Sequence, residues 1–183
     1  GQLINAKSFE VYDETTGVWT LGSIPMKVGR SNHAASLLPY NEATRARIEV
    51  LISGGSGMAA STTAEILTRV NTNGTITWST SATPITLPNA SQRSFHTSTT
   101  LSTGDVLLIG GKGSDPASSD LRTIDRFTNG TPPIFNVENV LNYARSMHKS
   151  IKLANDSVLI IGNYFKDTGK ADTKAELWSP HTP

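Results

Sequence analysis

RSNHAASLL (30–38), RSFHTSTTL (93–101) and RSMHKSIKL (145–153) are three versions of one phrase: Arg-Ser-x-His, then a short alternating stretch. The arginines are spaced by roughly 50–60 residues, so the chain is built from a repeated unit of that size. Working outward, each phrase is followed by a continuous apolar run that ends in small residues: EVLISGG (49–55), DVLLIGG (105–111) and SVLIIGN (157–163). Three or four consecutive apolar residues between turn signals read as a strand buried on both faces. The pairs Gly54-Gly55, Gly110-Gly111 and Gly162-Asn163 suit positive φ or a close backbone approach.

A further strand follows each small-residue pair and also occurs near the N-terminus: FEVYD (9–13), AEILT (64–68), IDRFT (124–128) and AELWS (175–179). Each carries an acid, Glu10, Glu65, Asp125 or Glu176, with a large side chain two residues on. Trp19, Trp78 and Phe135 mark a fourth strand, reached through the turns TTG, NTNG and TNG. Helical periodicity is weak outside Val137–Arg145. The expected fold is therefore all-β, with blades of four antiparallel strands in an incomplete ring: a half blade at 7–23, blades at 31–82 and 94–138, and three strands of a further blade at 145–179. PYNEATRAR (39–47) lengthens a hairpin that needs only a short turn in the other units, and reads as a protruding loop.

Composition narrows the function. A formal net charge of +1 leaves no electrostatic footprint for nucleic acid. No apolar run is long enough to cross a bilayer as a helix, so no membrane span is expected. The chain has no cysteine, which removes disulfides, thiolate metal sites and a cysteine nucleophile. It starts at Gly1 without a signal-peptide pattern and reads as a processed or excised piece. Glycine-rich phosphate loops, the G-x-S-x-G elbow and H-E-x-x-H are all missing from the sequence.

The R-x-x-H start, the glycine pair, and the acid-x-aromatic strand with its later Trp resemble kelch repeats and galactose-oxidase-like propellers over nearly the whole chain. That resemblance places Arg30, Arg93 and Arg145 on one rim, where planar guanidinium forks suit bidentate capture of a carboxylate from an acidic peptide or glycan. The competing reading pairs each arginine with the repeated acid of a unit, which makes both structural. His33, His96 and His148 read as hydrogen-bonding fixtures of the blade start; equivalent residues on adjacent blades are too far apart for one metal ion. The copper-radical chemistry of galactose oxidases relies on a tyrosine cross-linked to a cysteine, which this chain does not contain. No metal and no cofactor are expected of it.

The resulting expectation is a non-catalytic module for binding or assembly, whose partners are other copies of itself or the remaining blades of a larger propeller. The alternative is a structural part of a larger enzyme, either a galactose-oxidase-like oxidase or a carboxyl methyltransferase. The latter arises because residues 93–127 resemble the kelch half of the tRNA wybutosine-synthesising carboxyl methyltransferases, which implies a cytoplasmic location. Four sequons, at Asn73, Asn89, Asn129 and Asn155, point instead to secretion and N-glycosylation, although a chain this rich in Ser and Thr yields about that number by chance.

Overall fold

The protein is described by a computed structural model that covers residues 6–57, 59–88, 93–113, 120–162, 164–165, 170–171 and 174–180. It is all-β, and its strands form successive antiparallel sheets. The first sheet pairs β1 (Glu10–Asp13) with β2 (Val18–Leu21). The second runs in the order β3 (Ala34–Leu37), β4 (Arg47–Ser53), β5 (Thr63–Thr72), β6 (Thr75–Thr80), with the short β7 (Ile85–Thr86) also on β5. The third has the order β11-β10-β9-β8, from β8 (Thr97–Thr100), β9 (Val106–Ile109), β10 (Thr123–Thr128) and β11 (Ile134–Val140). The last joins β12 (Lys149–Lys152), β13 (Val158–Ile161) and β16 (Ala175–Trp178), with a small hairpin of β14 (Tyr164–Phe165) and β15 (Lys170–Ala171) between β13 and β16.

The continuous apolar runs explain how these sheets stack. In a strand alternate side chains face opposite ways, so a strand between two sheets needs apolar residues at every position. In β9, Val106 and Leu108 face the second sheet and pack with Leu38, Leu51, Ile66 and Phe127. Leu107 and Ile109 face the last sheet and pack with Val158, Ile160 and Trp178. All four residues of β9 are fully buried. A third cluster, Met26, Ile52 and Leu67 with Phe9 and Trp78 against it, joins the second sheet to the segment around the first. These sheets are propeller-like blades stacked face to face.

The first strands of three sheets stand side by side and are joined by hydroxyls. Ser36 Oγ donates to Ser98 Oγ at 2.6 Å, and Thr99 Oγ1 and Ser150 Oγ lie 2.7 Å apart. Val137–Arg145, whose periodicity suggested a helix, is not helical: β11 continues to Val140, held on β10 with a bulge between Ile124 and Asp125. The bulge shifts side-chain alternation by one residue and so produces the misleading spacing. Among the described residues, no helix is long and apolar enough to cross a membrane.

Candidate functional site

The Arg-Ser-x-His loops lie at one end of the stack, where each meets the small-residue pair of its own sheet and the Arg93 and Arg145 loops also meet that of the preceding one. All three arginines point inward. Arg30, Arg93 and Arg145 are 3%, 1% and 0% exposed, so of the two sequence readings the open rim forks are corrected by this depth, and the arginines lie where the competing reading of internal Arg–acid pairs puts them. Arg30 donates through Nη1 to the carbonyls of Gly54 (2.6 Å), Thr63 (3.1 Å) and Ala60 (3.2 Å), and through Nη2 to Glu65 Oε1 (2.9 Å). Arg93 binds the Leu108 and Gly110 carbonyls, both at 3.1 Å, together with Thr123 Oγ1 and Asp125 Oδ2. Arg145 binds the Gly162 and Lys174 carbonyls and Glu176 Oε1 at 2.8 Å. A guanidinium has a fixed fan of donors and no acceptor, and here the Nη groups of all three are spent on the chain itself, while Nε of Arg30 and of Arg145 is buried with no hydrogen-bond partner among the described residues.

The acids do more than neutralise. Glu65 also accepts the backbone N–H groups of Lys27 (2.6 Å) and Val28 (3.0 Å), so it ties the segment entering the second sheet to β5. Glu176 repeats this with Asn142 (2.5 Å) and Tyr143 (3.1 Å). Burial pushes the Glu176 carboxyl up, but those two N–H groups and Arg145 outweigh it and hold it below the usual range. Burial dominates at Asp125, whose carboxyl is raised despite Arg93 beside it. Glu10, the fourth acid of the series, is exposed and has no arginine partner among the described residues.

The residue between Ser and His carries a signal that the sequence alone did not reveal. Asn32, Phe95 and Met147 all have positive φ, at 53°, 55° and 54°. Side chains other than glycine and asparagine rarely adopt this conformation, and it persists only where surroundings enforce it. Here it turns the backbone so that Phe95 N–H donates to the Asn32 carbonyl (3.0 Å) and Met147 N–H to the Phe95 carbonyl (2.9 Å), linking loop to loop across the sheets. The glycine pairs complete the seam: Gly55 N–H donates to the Arg93 carbonyl and Gly111 N–H to that of Arg145, each at 2.8 Å. A Cβ on Gly54 would stand 2.5 Å from the Arg93 carbonyl oxygen, so only glycine fits there. Asn163 lies outside the described residues.

His96 and His148 bridge adjacent sheets. His96 Nε2 lies 2.9 Å from Ser53 Oγ, and His148 Nε2 the same distance from Thr97 Oγ1. His33 is exposed. Burial, with Arg93 as the next cause, holds His96 well below the usual histidine range; burial, with Arg145 and then Arg93, brings His148 to about 4. An unfolded histidine titrates near 6.5, so between about pH 6.5 and 4 the unfolded chain binds more protons than the folded one. The stability contributed by neutral His148 is complete above that window and is lost as pH falls through it. The melting temperature should therefore drop between pH 7 and 4.5, and drop less in His148→Gln; a melting temperature that rises on acidification would contradict this assignment.

Of the sequons, Asn73 is exposed in the β5–β6 turn with φ of 50°, Asn129 is exposed with Nδ2 donating to Glu49 (3.4 Å), and Asn155 is exposed with Oδ1 accepting from Ser157 N–H. Asn89 lies outside the described residues. Among the described residues, no group of three His, Cys, Asp or Glu side chains is placed to hold a metal ion.

No family model matches the chain, and neither does any curated protein. Among solved structures, it is similar to a novel fungal alcohol oxidase with catalytic diversity among the AA5 family, in complex with copper. The two share 18% sequence identity with a TM-score of 0.69, over 98% of this chain and 37% of that one. The likeness shows a galactose-oxidase-like fold, and this chain spans little more than a third of that protein's length. The described residues do not fit a copper-radical centre. The chain has no cysteine to form the cross-link, and His96 and His148 are buried in separate seams with Nε2 of each against a hydroxyl.

Proposed function

We propose that this chain is the scaffold part of a galactose-oxidase-like propeller protein, with blades at 7–23, 31–82, 94–138 and 145–179, whose residues acting on substrate lie outside these blades. The observation that carries this reading is the inward commitment of Arg30, Arg93 and Arg145: the repeated motif fastens sheets together and leaves no fork for a ligand. Similarity to a copper alcohol oxidase supports an oxidase role for the protein that contains the chain. Further blades of that protein, or a second copy, would cover the exposed Ile151 and Leu177 on one side and Tyr12, Trp19 and Leu21 on the other. The exposed asparagines at 73, 129 and 155 support an extracellular site of action.

The test uses the whole protein loaded with copper, assayed for oxygen-dependent oxidation of a primary alcohol. Arg145→Met should lower the melting temperature and reduce turnover in proportion to the folded fraction, with KM unchanged. A KM raised by about tenfold or more with an unchanged melting temperature would move the arginine from scaffold to ligand contact. A folded, copper-loaded whole protein that oxidises no alcohol would remove the oxidase reading.

A further inference from the structure

The insertion at 39–47 is a departure from the repeat that the scaffold reading leaves unused. The turns that correspond to it are short, closed by Leu101 N–H to the Asp105 carbonyl and by Leu153 N–H to that of Ser157. In the second sheet the connection is instead built into a defined shape. Asn41 Oδ1 accepts from Ala43 and Thr44 N–H, Arg45 N–H donates to the Asn41 carbonyl, and Asn71 N–H donates to that of Ala46. Arg45 is held at φ of 45°. A pinned loop that keeps a non-glycine residue in a strained conformation is a frequent mark of a binding position.

The loop forms one wall of a cleft of about 840 Å³ between the first and second sheets. It lies at the opposite end of β4 from Gly54, away from the Arg-Ser-x-His loops. Ile48, Arg69 and Trp78 are cross-strand neighbours on β4, β5 and β6, so the register sets an apolar residue, a guanidinium and an indole in one row along the cleft. Trp78 is half-buried and braced by Phe9, with ring centroids 5.1 Å apart. Arg69 Nη1 reaches the Arg45 carbonyl at 3.4 Å. Among the described residues neither Arg45 nor Arg69 has a carboxylate partner, whereas Arg47, at the neighbouring seam, is paired with Glu49. The facing wall carries Asp13, tied by its own turn at Thr15 N–H, and Glu14.

We propose that this cleft binds an oligosaccharide containing a uronic acid. Its carboxylate would meet Arg45 and Arg69, a sugar ring would lie on Trp78, and the remaining hydroxyls would donate to Asp13 and Glu14. Guanidiniums on one wall, acceptors on the other and an aromatic floor between them match a ligand that is anionic at one point and rich in hydroxyls elsewhere. A strongly acidic peptide suits the site less, because the facing carboxylates would repel it.

The probe is tri-galacturonate, titrated while the Trp78 indole N–H is followed by NMR. Saturable shifts at Trp78 are expected, with affinity reduced about tenfold by Arg45→Gln, by Arg69→Gln, or by replacing the probe with neutral galactotriose. Melting temperatures establish that both variants are folded. No saturation up to about 10 mM, equal affinity for the neutral sugar, or tighter binding of an acidic hexapeptide would overturn the assignment.

Discussion

Glu65→Ala is expected to destabilise the protein by about 3–5 kcal/mol, the range found when one partner of a buried ion pair is removed. Glu65 is fully buried and receives Arg30, Lys27 N–H and Val28 N–H. Alanine leaves a guanidinium at 3% exposure without its carboxylate and strands two backbone donors in the same change. Glu65→Gln keeps an acceptor and should lose less. Urea denaturation monitored by tryptophan fluorescence checks this; a loss below about 1 kcal/mol would mean that water reaches Arg30 and that the pair is a surface one.

Phe127→Ala should cost a comparable amount, about 3–5 kcal/mol, by the different route of an unfilled core. Phe127 is fully buried on β10 between the second and third sheets, among Leu38, Leu51 and Leu108, and its ring lies 5.0 Å from that of Phe135. Those neighbours come from two sheets and cannot all close the gap. Trp19→Ala is the control: Trp19 is 65% exposed and should cost far less. Equal losses at the two positions would mean that the first sheet is buried by something that the described contacts do not include.

Much of the architecture can be read from local chemistry. The V-L-L-I and V-L-I-I runs demand neighbours on both faces; the structure supplies a sheet on each side of β9, whereas in β13 only Val158 and Ile160 are buried and Leu159 and Ile161 are half-buried. The direction of the arginines cannot be read the same way. An Arg and an acid recurring in every unit satisfy both an internal pair and a ring of open forks, and only burial depth separates the two. Positive φ at Phe95 and Met147 has no compositional signature, because neither residue type favours it; loop-to-loop hydrogen bonding imposes it. The hydroxyls of β8 look like ordinary polar alternation, yet Thr99 is buried against Ser150 in the line that joins the inner strands. Two-residue strands such as β7, β14 and β15 depend on a partner segment rather than on any periodicity of their own.

The central claim is that the Arg-Ser-x-His arginines fasten the sheets from within. A double-mutant cycle at Arg93 and Asp125 tests it most directly, since the two side chains form an ion pair at 1% and 3% exposure. Arg93→Met and Asp125→Leu should each cost about 3–5 kcal/mol, while the double variant, which buries no orphaned charge, regains most of the loss. The coupling energy from urea denaturation should exceed about 2 kcal/mol; additivity within about 0.5 kcal/mol would show two independent side chains and contradict the account.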